Sequence, residues 1–284
     1  MKKLLLAGIS CIFAGFAAAQ VPLKVMTFNI RYNNPEDSLN AWPLRKDKAA
    51  SEVLFLEANL LGVQEALHDQ MEDLQQRLPQ YKSIGVGRDD GKTKGEYSAI
   101  FYDTTRLQLL KSETFWLSET PTVAGHIGWD GACTRIVTWG KFRDKKTNKL
   151  FFHFNTHFDH RGKVARRESA KFLLQQVHNI AGNNPAIITG DFNAVPSDEP
   201  IQIIVDANNP LHLTDSKSIS KIPHFGPVGT FNGWHSGEME DQPIDYIFLK
   251  GKFNVKKHAT ISESWEGRYA SDHFAVYSEI EINN

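Results

Sequence analysis

The sequence is poor in cysteine, and this scarcity excludes two classes of structure. It has two cysteines in 284 residues, Cys11 and Cys133, and Cys11 lies in an N-terminal segment that has the features of a signal peptide. A mature chain that keeps only Cys133 can form neither an internal disulfide nor a cysteine-based zinc site. The fold must therefore rest on its hydrophobic core, and a content of 41% hydrophobic residues is compatible with this.

Beyond its first residues, the sequence has no apolar run long enough to cross a membrane. Residues 1–3 are a basic start, residues 4–16 are apolar and residues 17–19 are alanines, so we expect a signal peptide over residues 1–19. The apolar stretch is shorter than a membrane span. We therefore expect an exported protein, periplasmic or extracellular. A lipoprotein anchored through Cys11 is the less favoured alternative, because residues 8–10 lack the usual leucine three positions before the cysteine.

A strong excess of charge of either sign is also absent. The formal net charge is −1, and removal of the two N-terminal lysines changes it to −3. Dedicated nucleic-acid-binding proteins are usually basic, so this balance argues against DNA as the main partner. No linker, repeat or low-complexity segment divides the rest of the chain, and no obligatory protein partner is evident. We expect residues 20–284 to form a single domain.

Strand and helix patterns alternate along the chain, with both hairpins and helical connections. This predicts an α/β fold, a four-layer α/β sandwich of two packed, mainly antiparallel β-sheets flanked by helices. The first helix, near residues 44–58, is expected to carry Ala50, Val53, Leu54 and Glu57 on one face. Further helices are predicted at residues 67–78, around 170–177 and at 199–206, with loops at 33–43 and 216–242. Strands are predicted at residues 23–30, 60–63, 81–86, 97–102, 114–117, 135–143, 150–158, 186–191, 244–249, 253–261 and 274–282.

Polar residues occur at or beside the ends of six of these apolar strands. Enzymes place reactive groups at such positions because the sheet fixes the backbone while the turn reaches solvent. Each residue alone is also explained by a cap, a turn or a buried histidine, but these explanations account poorly for all six together. One segment carries Asp191 and Asn193, and the others carry Asn29, Glu65, His157, Asp245 and the pair Asp272–His273.

Two of these carboxylates, Glu65 and Asp245, interrupt apolar surroundings. A buried carboxylate without a partner is costly, so its presence implies a metal ion, another cation or a hydrogen-bond network. Oxygen ligands without cysteine or a histidine pair at helical spacing favour Mg²⁺, Mn²⁺ or Ca²⁺ over zinc. The sequence has no Gly-x-Ser-x-Gly, His-Glu-x-x-His or P-loop motif. If these residues carry out hydrolysis, direct attack of water on the substrate is therefore favoured over a covalent intermediate between substrate and protein.

Taken together, the six segments resemble the endonuclease/exonuclease/phosphatase superfamily of deoxyribonuclease-like, metal-dependent phosphoesterases. The specific elements are Gly-Asp-Phe-Asn, Ile-Asp-Tyr and Ser-Asp-His, and they occur in the family order between Asn29 and His273. The Asn-Thr-His-Phe-Asp-His element is most similar to exported bacterial members on the nocturnin and deadenylase side. The resemblance implies an exported hydrolase of phosphate esters that depends on Mg²⁺, with Mn²⁺ as the alternative cofactor.

The resemblance also implies roles for the residues that would hold the metal ion and the attacking water. Glu65 corresponds to the main metal ligand, and Asn29 and Asp272 line the same pocket. Asp191 corresponds to the group that orients or deprotonates the water of the metal site. Asn193 corresponds to the residue that holds this water or a phosphate oxygen.

Two histidines complete the set of residues implied by the resemblance. His273 corresponds to the histidine that contacts the scissile phosphate and is oriented by Asp245. His157 corresponds to a second catalytic histidine, and Glu96 lies where deoxyribonuclease-like members have a partner carboxylate. An Asp–His pair fixes the imidazole tautomer and raises its basicity, which keeps the ring cationic against phosphate.

The substrate is less clearly indicated than the reaction. Trp129 and Trp234 lie in loops, where they either stack on a base or sugar ring or hold the loop to the body. Arg135 is a phosphate clamp or a member of a buried ion pair. Arg161 begins a basic run that steers an anionic ligand or forms a solvated helix face. A phosphorylated small molecule, a glycan or a lipid headgroup is favoured over nucleic acid.

Two further functions are compatible with the sequence. The first is an exported nuclease that acts on DNA or RNA, which would be expected to carry extra basic loops. The second is a carbohydrate- or phosphate-binding protein that keeps the fold without catalysis. Such a protein would be expected to lack a metal carboxylate or a histidine, and the sequence has retained all of the corresponding positions.

Overall fold

A computed structural model describes residues 21–235 and 242–283, so the predicted signal peptide at residues 1–19 lies outside the described residues. Within these ranges no helix is long and apolar enough to cross a membrane. The α-helices are α1 (Lys46–Phe55), α2 (His68–Arg77), α3 (Lys163–Ala181) and α4 (Glu199–Val205). The strands are β1 (Leu23–Asn29), β2 (Leu60–Ala66), β3 (Tyr81–Ile84), β4 (Tyr97–Asp103), β5 (Leu107–Trp116), β6 (Ile136–Asp144), β7 (Leu150–His157), β8 (Ala186–Asp191), β9 (Thr214–Asp215), β10 (Asp245–Lys250), β11 (Phe253–Ile261) and β12 (Ala275–Ile282).

The strands form two six-stranded sheets. Their orders are β11-β12-β1-β2-β4-β3 and β5-β6-β7-β8-β10-β9. In each sheet one neighbouring pair is parallel, β1 with β2 and β7 with β8, and the other pairings are antiparallel. A parallel pair requires a crossover, and here α1 and α3 supply it. Each sheet therefore has its own strand–helix–strand unit at its centre.

The core has one layer between the sheets and one on each outer face. Residues such as Val25, Ile100 and Ile247 come from facing strands and form the middle layer. Alternate residues of the central strands, such as Phe28 and Phe154, point outward and pack against the helices. Helices α1 and α2 cover the first sheet, and α3 and α4 cover the second. The predicted four-layer α/β sandwich is confirmed.

The first helix differs from the prediction at both ends. It spans Lys46–Phe55 rather than residues 44–58, and the predicted loop before it contains two short 3₁₀ turns. Ala50 and Val53 are buried as expected, but Leu54 is 47% exposed. Glu57 lies beyond the helix, with a left-handed φ of 52°. The predicted face was therefore wrong for Leu54, which lies on the solvent side of α1, and for Glu57, where the prediction continued the helical spacing past the last turn.

The predicted strand at residues 114–117 is the end of a longer strand. Strand β5 spans Leu107–Trp116 at the edge of the second sheet. Many of its side chains, including Leu110, are solvent-exposed. An edge strand needs no continuous apolar pattern because one side of it faces water. This exposure explains why the sequence pattern revealed only its last residues.

His153 is fully buried in β7, and its protonation leads to a testable prediction about the stability of the fold in acid. Its Nε2 is 2.8 Å from the Thr189 hydroxyl, and burial lowers the pKa of its imidazole to about 3. Between pH 6.5 and pH 3 the unfolded chain protonates this histidine while the folded chain does not, so acidification destabilises the fold. Between pH 7 and pH 5 we expect His153 to contribute a loss of about 2 kcal/mol in the free energy of unfolding.

In His153→Gln this part of the pH dependence should be missing. Urea unfolding at pH 7 and pH 5 measures it, and the comparison of the two pH values cancels any packing cost that does not depend on pH. His126→Gln is the matched control, because His126 is exposed and its replacement should leave the wild-type difference intact. An equal loss between pH 7 and pH 5 in wild type and His153→Gln would refute the role of His153.

Candidate active site

The parallel strand pairs deliver polar residues from both sheets to one place. In the first sheet Asn29, at the end of β1, is in register with Gln64 of β2. In the second sheet His157, at the end of β7, is in register with Asp191 at the end of β8. Strand β10 runs antiparallel to β8, so its first residue, Asp245, lies opposite Asp191. A hydrogen bond from the Asn29 amide to the Asp191 carboxylate joins the two sheets at this edge.

Glu65 reaches the cluster because β2 is irregular next to it. The register between β2 and β4 shifts between Val63 and Ala66, and Glu65 has a left-handed φ of 63°. Bulges of this kind often re-aim a side chain beside an active site, and the strained backbone is retained by surrounding contacts. The Glu65 carboxylate accepts hydrogen bonds from the Asn29 amide (3.0 Å) and the Tyr32 backbone N–H (3.2 Å).

Asp191 lies at the centre of the cluster and is almost fully buried, with 1% of its surface exposed. One carboxylate oxygen accepts a hydrogen bond from the Asn29 amide (3.0 Å), and the other accepts one from the backbone N–H of Asn193 (2.9 Å). Burial, and then the neighbouring Asp245, raise the pKa of Asp191 to about 7. A carboxyl group with a pKa in this range can take up a proton near neutral pH.

The side chains of Asp245 and His273 form a buried pair. One oxygen of Asp245 lies 2.9 Å from Nδ1 of His273 and also accepts a hydrogen bond from the Thr230 hydroxyl (2.6 Å). Burial alone would lower the pKa of His273, but the charge and hydrogen bond of Asp245, together with Asp191, raise it well above its usual value. Asp245 therefore favours the cationic form of His273, whose Nε2 lies 3.8 Å from Asp191.

The second histidine, His157, has the opposite electrostatic character. Asn193, which adopts a left-handed φ of 46°, places Nδ2 3.0 Å from both the Phe158 carbonyl and Nε2 of His157. The Phe158 carbonyl can only accept a hydrogen bond, so the Asn193 atom that faces it is the NH2 group. The same NH2 group donates to Nε2 of His157, so the imidazole hydrogen of His157 lies on Nδ1. Burial, and then nearby arginines, lower the pKa of His157 well below its usual value. His157 is therefore neutral, with Nδ1 at 4.0 Å from Glu96.

The donor set of the cluster fits a divalent cation. Ligand-type atoms of Asp191, Asp245 and His273 lie within 4.8 Å of one another, although Asp245 and Nδ1 of His273 already bind each other. Glu65 and Asp272 are the other carboxylates, and burial, with a contribution from Glu65, raises the pKa of Asp272. Buried carboxylates that raise one another's pKa are typical of a site that binds a hard cation through oxygen ligands.

A cavity of about 640 Å³ opens onto the cluster. Its wall combines acidic residues, arginines, histidines and a few apolar groups, and Asn29 and Asp245 lie buried behind it. A volume of this size is typical of a site for a small molecule. The lining comprises Arg31, Tyr32, Glu65, Arg88, Glu96, Cys133, Arg135, His157, His160, Asp191, Asn193, Phe231, Ile244, Asp272 and His273.

Three residues predicted to contact substrate lie away from this lining. Trp129 packs against the outer hydrophobic cluster of the second sheet. Trp234 lies over the guanidinium of Arg45, 5.4 Å from its ring centre. Arg161 is exposed, and its backbone N–H donates to Asp159. Of the four predicted substrate-binding residues, Arg135 alone belongs to the wall of the cavity.

Arg45 is a buried residue near the site that the sequence did not single out. Its guanidinium donates to the backbone carbonyl of Ile30, which directly follows Asn29, and to that of Ala270, which is separated from Asp272 by Ser271. It also donates to the carbonyl of Arg31 (2.7 Å). Arg45 therefore ties together two of the loops that carry the cluster. A lone arginine before a helix gives no sequence signal for such a role, because its partners are backbone atoms.

The fold and the cluster define a class of protein: a two-sheet α/β sandwich with a carboxylate–histidine centre where both sheets end. The chain belongs to the Endonuclease/Exonuclease/phosphatase family, whose model matches residues 26–273. This confirms the resemblance to that family. Members of the family hydrolyse phosphoester bonds, and the carboxylate and histidine cluster is in keeping with a metal-dependent site.

Solved structures support the assignment over nearly the whole chain. The endonuclease/exonuclease/phosphatase from Bacteroides vulgatus is 41% identical, with a TM-score of 0.88, and the match covers 93% of this chain and 100% of that one. A mannosyl-6-phosphatase from Bacteroides thetaiotaomicron VPI-5482 is 37% identical, with a TM-score of 0.86, over 92% of this chain and 100% of that one.

Curated relatives are more distant and longer. Protein angel of Drosophila melanogaster is 26% identical over 73% of this chain and 58% of its own length. Nocturnin of Drosophila melanogaster is 25% identical over 87% of this chain and 43% of its own length. The chain thus spans about half the length of these two relatives, and their presence agrees with the predicted similarity to the nocturnin side of the family.

Proposed function

We propose that this protein is an exported, divalent-metal-dependent phosphatase that acts on phosphorylated sugars. The observation that carries the proposal is the cavity of about 640 Å³ with Asp191, His157 and His273 in its wall. This volume suits a monosaccharide phosphate better than a nucleic-acid strand. The likeness to a mannosyl-6-phosphatase at 37% identity supports the same substrate class. Export rests on the pattern of residues 1–19.

Glu65 and Asp272, together with Asn29, would hold Mg²⁺ or Mn²⁺. Their oxygen atoms are the ligands these ions prefer. The bound ion would neutralise negative charge on the phosphate and so let a nucleophile approach. The assignment leaves the Asp245–His273 pair intact, because neither of its bonded atoms is needed as a ligand.

The remaining steps are performed by side chains of the cavity. Nε2 of cationic His273 donates to a phosphate oxygen and stabilises the charge that grows on it. Asp191 accepts a proton from the attacking water, and the Asn193 carbonyl oxygen orients that water. The water oxygen bonds to phosphorus as the bond to the sugar oxygen breaks. The sugar oxygen takes a proton from a cavity water, and that water regains a proton from Asp191, which returns the carboxylate to its starting state. The products are inorganic phosphate and the free sugar.

The proposal is tested by an activity panel before and after metal removal. Mannose 6-phosphate, glucose 6-phosphate, bis(p-nitrophenyl) phosphate and single-stranded DNA are incubated with the protein in EDTA, in Mg²⁺ and in Mn²⁺. We expect phosphate release from the hexose phosphates with metal, and a loss of at least about 10²-fold in EDTA. Faster cleavage of the diester or the DNA would overturn the substrate class, and full activity in EDTA would overturn the metal dependence.

A further inference from the structure

A second group of polar side chains lies in the cavity wall on the other side of His157 from Asp191. The imidazole of His157 separates the two groups, with Nε2 at 3.4 Å from Asp191 and Nδ1 at 4.0 Å from Glu96. Beyond it are Arg88, Glu96, Arg135 and His160, all of which line the cavity. We call these four residues the distal cluster. The hydrolytic role proposed for Asp191 and His273 uses none of them.

Arg135 is the member of the distal cluster whose hydrogen bonds are incomplete. It is 5% exposed, yet its Nε and Nη1 have no hydrogen-bond partner among the described residues. The nearest carboxylate, Asp159, is 3.8 Å from Nε, and its oxygens already accept backbone N–H groups, including those of Ala132 and Gly162. Buried donors without a protein partner are typical of a place that binds water or a ligand.

Neighbouring residues add both donors and acceptors to this place. Nη2 of Arg135 donates to Nδ1 of His160 at 3.1 Å, so the His160 hydrogen lies on Nε2 and is available as a further donor. Arg88 holds Glu96 through two hydrogen bonds of 2.7 and 2.8 Å, and its Nε is also without a partner in the described structure. The Glu96 carboxylate keeps lone pairs that can accept a hydroxyl hydrogen.

The charges of the distal cluster nearly cancel. Arg88 is paired with Glu96, and Arg135 lies beside Asp159. A second phosphate would require an excess of positive charge, as Arg clusters that bind phosphate provide. Hydroxyl groups instead need donors and acceptors side by side, which is what this cluster offers. The chemistry therefore favours a neutral, hydroxyl-rich group over a second anion.

We propose that Arg135, Arg88, Glu96 and His160 form a leaving-group subsite that hydrogen-bonds the hydroxyls of a pyranose ring while its phosphate lies at Asp191. This inference rests on the proposed function and makes it more specific, because it assigns the residues that distinguish sugar phosphates from other phosphate monoesters. Sites built to hydrogen-bond a substrate hydroxyl strongly reject analogues that lack it.

The test compares two substrates in Arg135→Gln. With Mg²⁺, the ratio of kcat/KM for mannose 6-phosphate to that for phenyl phosphate should fall about 30-fold, since one or two hydrogen bonds to the sugar are lost. Arg143→Gln is the matched control, because Arg143 is exposed on β6, and its ratio should equal that of wild type. An unchanged ratio in Arg135→Gln, with both substrates impaired equally, would make Arg135 a phosphate clamp and overturn the proposal.

Two further measurements keep the test decisive. His160→Gln affects a solvent-exposed residue and should lower the same ratio even if Arg135→Gln fails to fold. Binding of free mannose, measured by saturation-transfer NMR in EDTA, should be detectable in wild type and lost in His160→Gln and Arg135→Gln.

The binding measurement also separates this inference from the proposed function. Mannose binding that depends on Arg135, without hydrolysis of any hexose phosphate, would support the subsite and overturn the phosphatase function. Hydrolysis of hexose phosphates without mannose binding, and with the same kcat/KM ratio in Arg135→Gln as in wild type, would support the phosphatase function and overturn the subsite. A preference of at least tenfold for fructose 1,6-bisphosphate over mannose 6-phosphate would indicate a second anion site and would overturn the subsite as described.

Discussion

Asp191→Asn should lower kcat/KM for hexose phosphate hydrolysis by about 10³-fold while leaving the protein at least as stable as wild type. The amide cannot accept the proton of the attacking water, and loss of a general base of this kind costs about 10²–10⁴-fold. Burial and Asp245 raise the pKa of Asp191 to about 7, well above its usual value. At pH 8 the ionised carboxylate therefore destabilises the fold. A neutral amide removes this cost, which exceeds the loss of one of the two hydrogen bonds that the carboxylate oxygens accept.

Activity measured with Mg²⁺ checks the first half of this prediction, and thermal unfolding measured at pH 8 in EDTA checks the second. Asp206→Asn is the matched control, since Asp206 is exposed just after α4, and it should keep wild-type activity and melting temperature. Retention of more than a tenth of wild-type activity in Asp191→Asn would exclude the role of Asp191 as the base. A fall in melting temperature together with activity would show that Asp191 contributes to the fold instead.

Strand-end polar residues could be recognised in the sequence because local patterns determine them. An apolar run that stops at Asn29, His157 or Asp191 is visible without any knowledge of the neighbours. The parallel pairs β1–β2 and β7–β8 then bring such ends to one edge of each sheet. The local sequence pattern and the strand topology both place these residues at one edge of each sheet. For this reason the pattern alone was sufficient to locate the cluster.

Residues whose partners are distant in the chain could not be recognised in this way. Arg45 donates to carbonyls as far away as Ala270, 225 positions along the chain. Arg88 was not singled out, although it lines the same cavity as Arg135, because separate loops bring these two residues together. Trp234 lies in a loop, as expected, but its ring packs over Arg45. A loop aromatic that covers a buried cation and one that covers a ligand have the same sequence signature.

Glu65 is a different case, because its identity was recognised but its geometry was not. No glycine or asparagine in the Val-Gln-Glu-Ala segment indicates a left-handed residue, yet Glu65 has a φ of 63°. The surrounding sheet imposes this conformation through the irregular pairing of β2 with β4. Strain of this kind depends on tertiary contacts, and local propensity cannot predict it.

A buried hydrogen-bond network between the sheets supports the cluster from below. Asn155 of β7 is fully buried, and its amide donates to the carbonyls of Val63 (2.9 Å) and Ala99 (2.8 Å) in the opposite sheet. Its carbonyl oxygen accepts from Gln64 (2.7 Å). Close approach is possible because residue 62 is glycine, where a Cβ would lie 2.4 Å from Asn155 Oδ1.

Asn155→Leu should therefore be the most destabilising of the substitutions considered. The leucine fills a similar volume but leaves the Gln64 amide and the Val63 and Ala99 carbonyls buried without this partner, at about 1–3 kcal/mol for each group left unsatisfied. We expect a loss of about 4 kcal/mol in the free energy of unfolding and a fall of roughly 10 °C in melting temperature. Asn208→Leu, at an exposed asparagine, should change the free energy by less than about 0.5 kcal/mol.

A double-mutant cycle with Gln64→Leu separates this network from simple packing. If the two amides stabilise each other across the sheets, the loss in Gln64→Leu/Asn155→Leu should be smaller than the sum of the single losses by about 1–2 kcal/mol, because both halves of one hydrogen bond are then removed together. Additive losses would show that the residues act independently. Since Glu65 directly follows Gln64, coupled losses accompanied by weaker Mg²⁺ binding would show that the network also positions the carboxylate of the metal site.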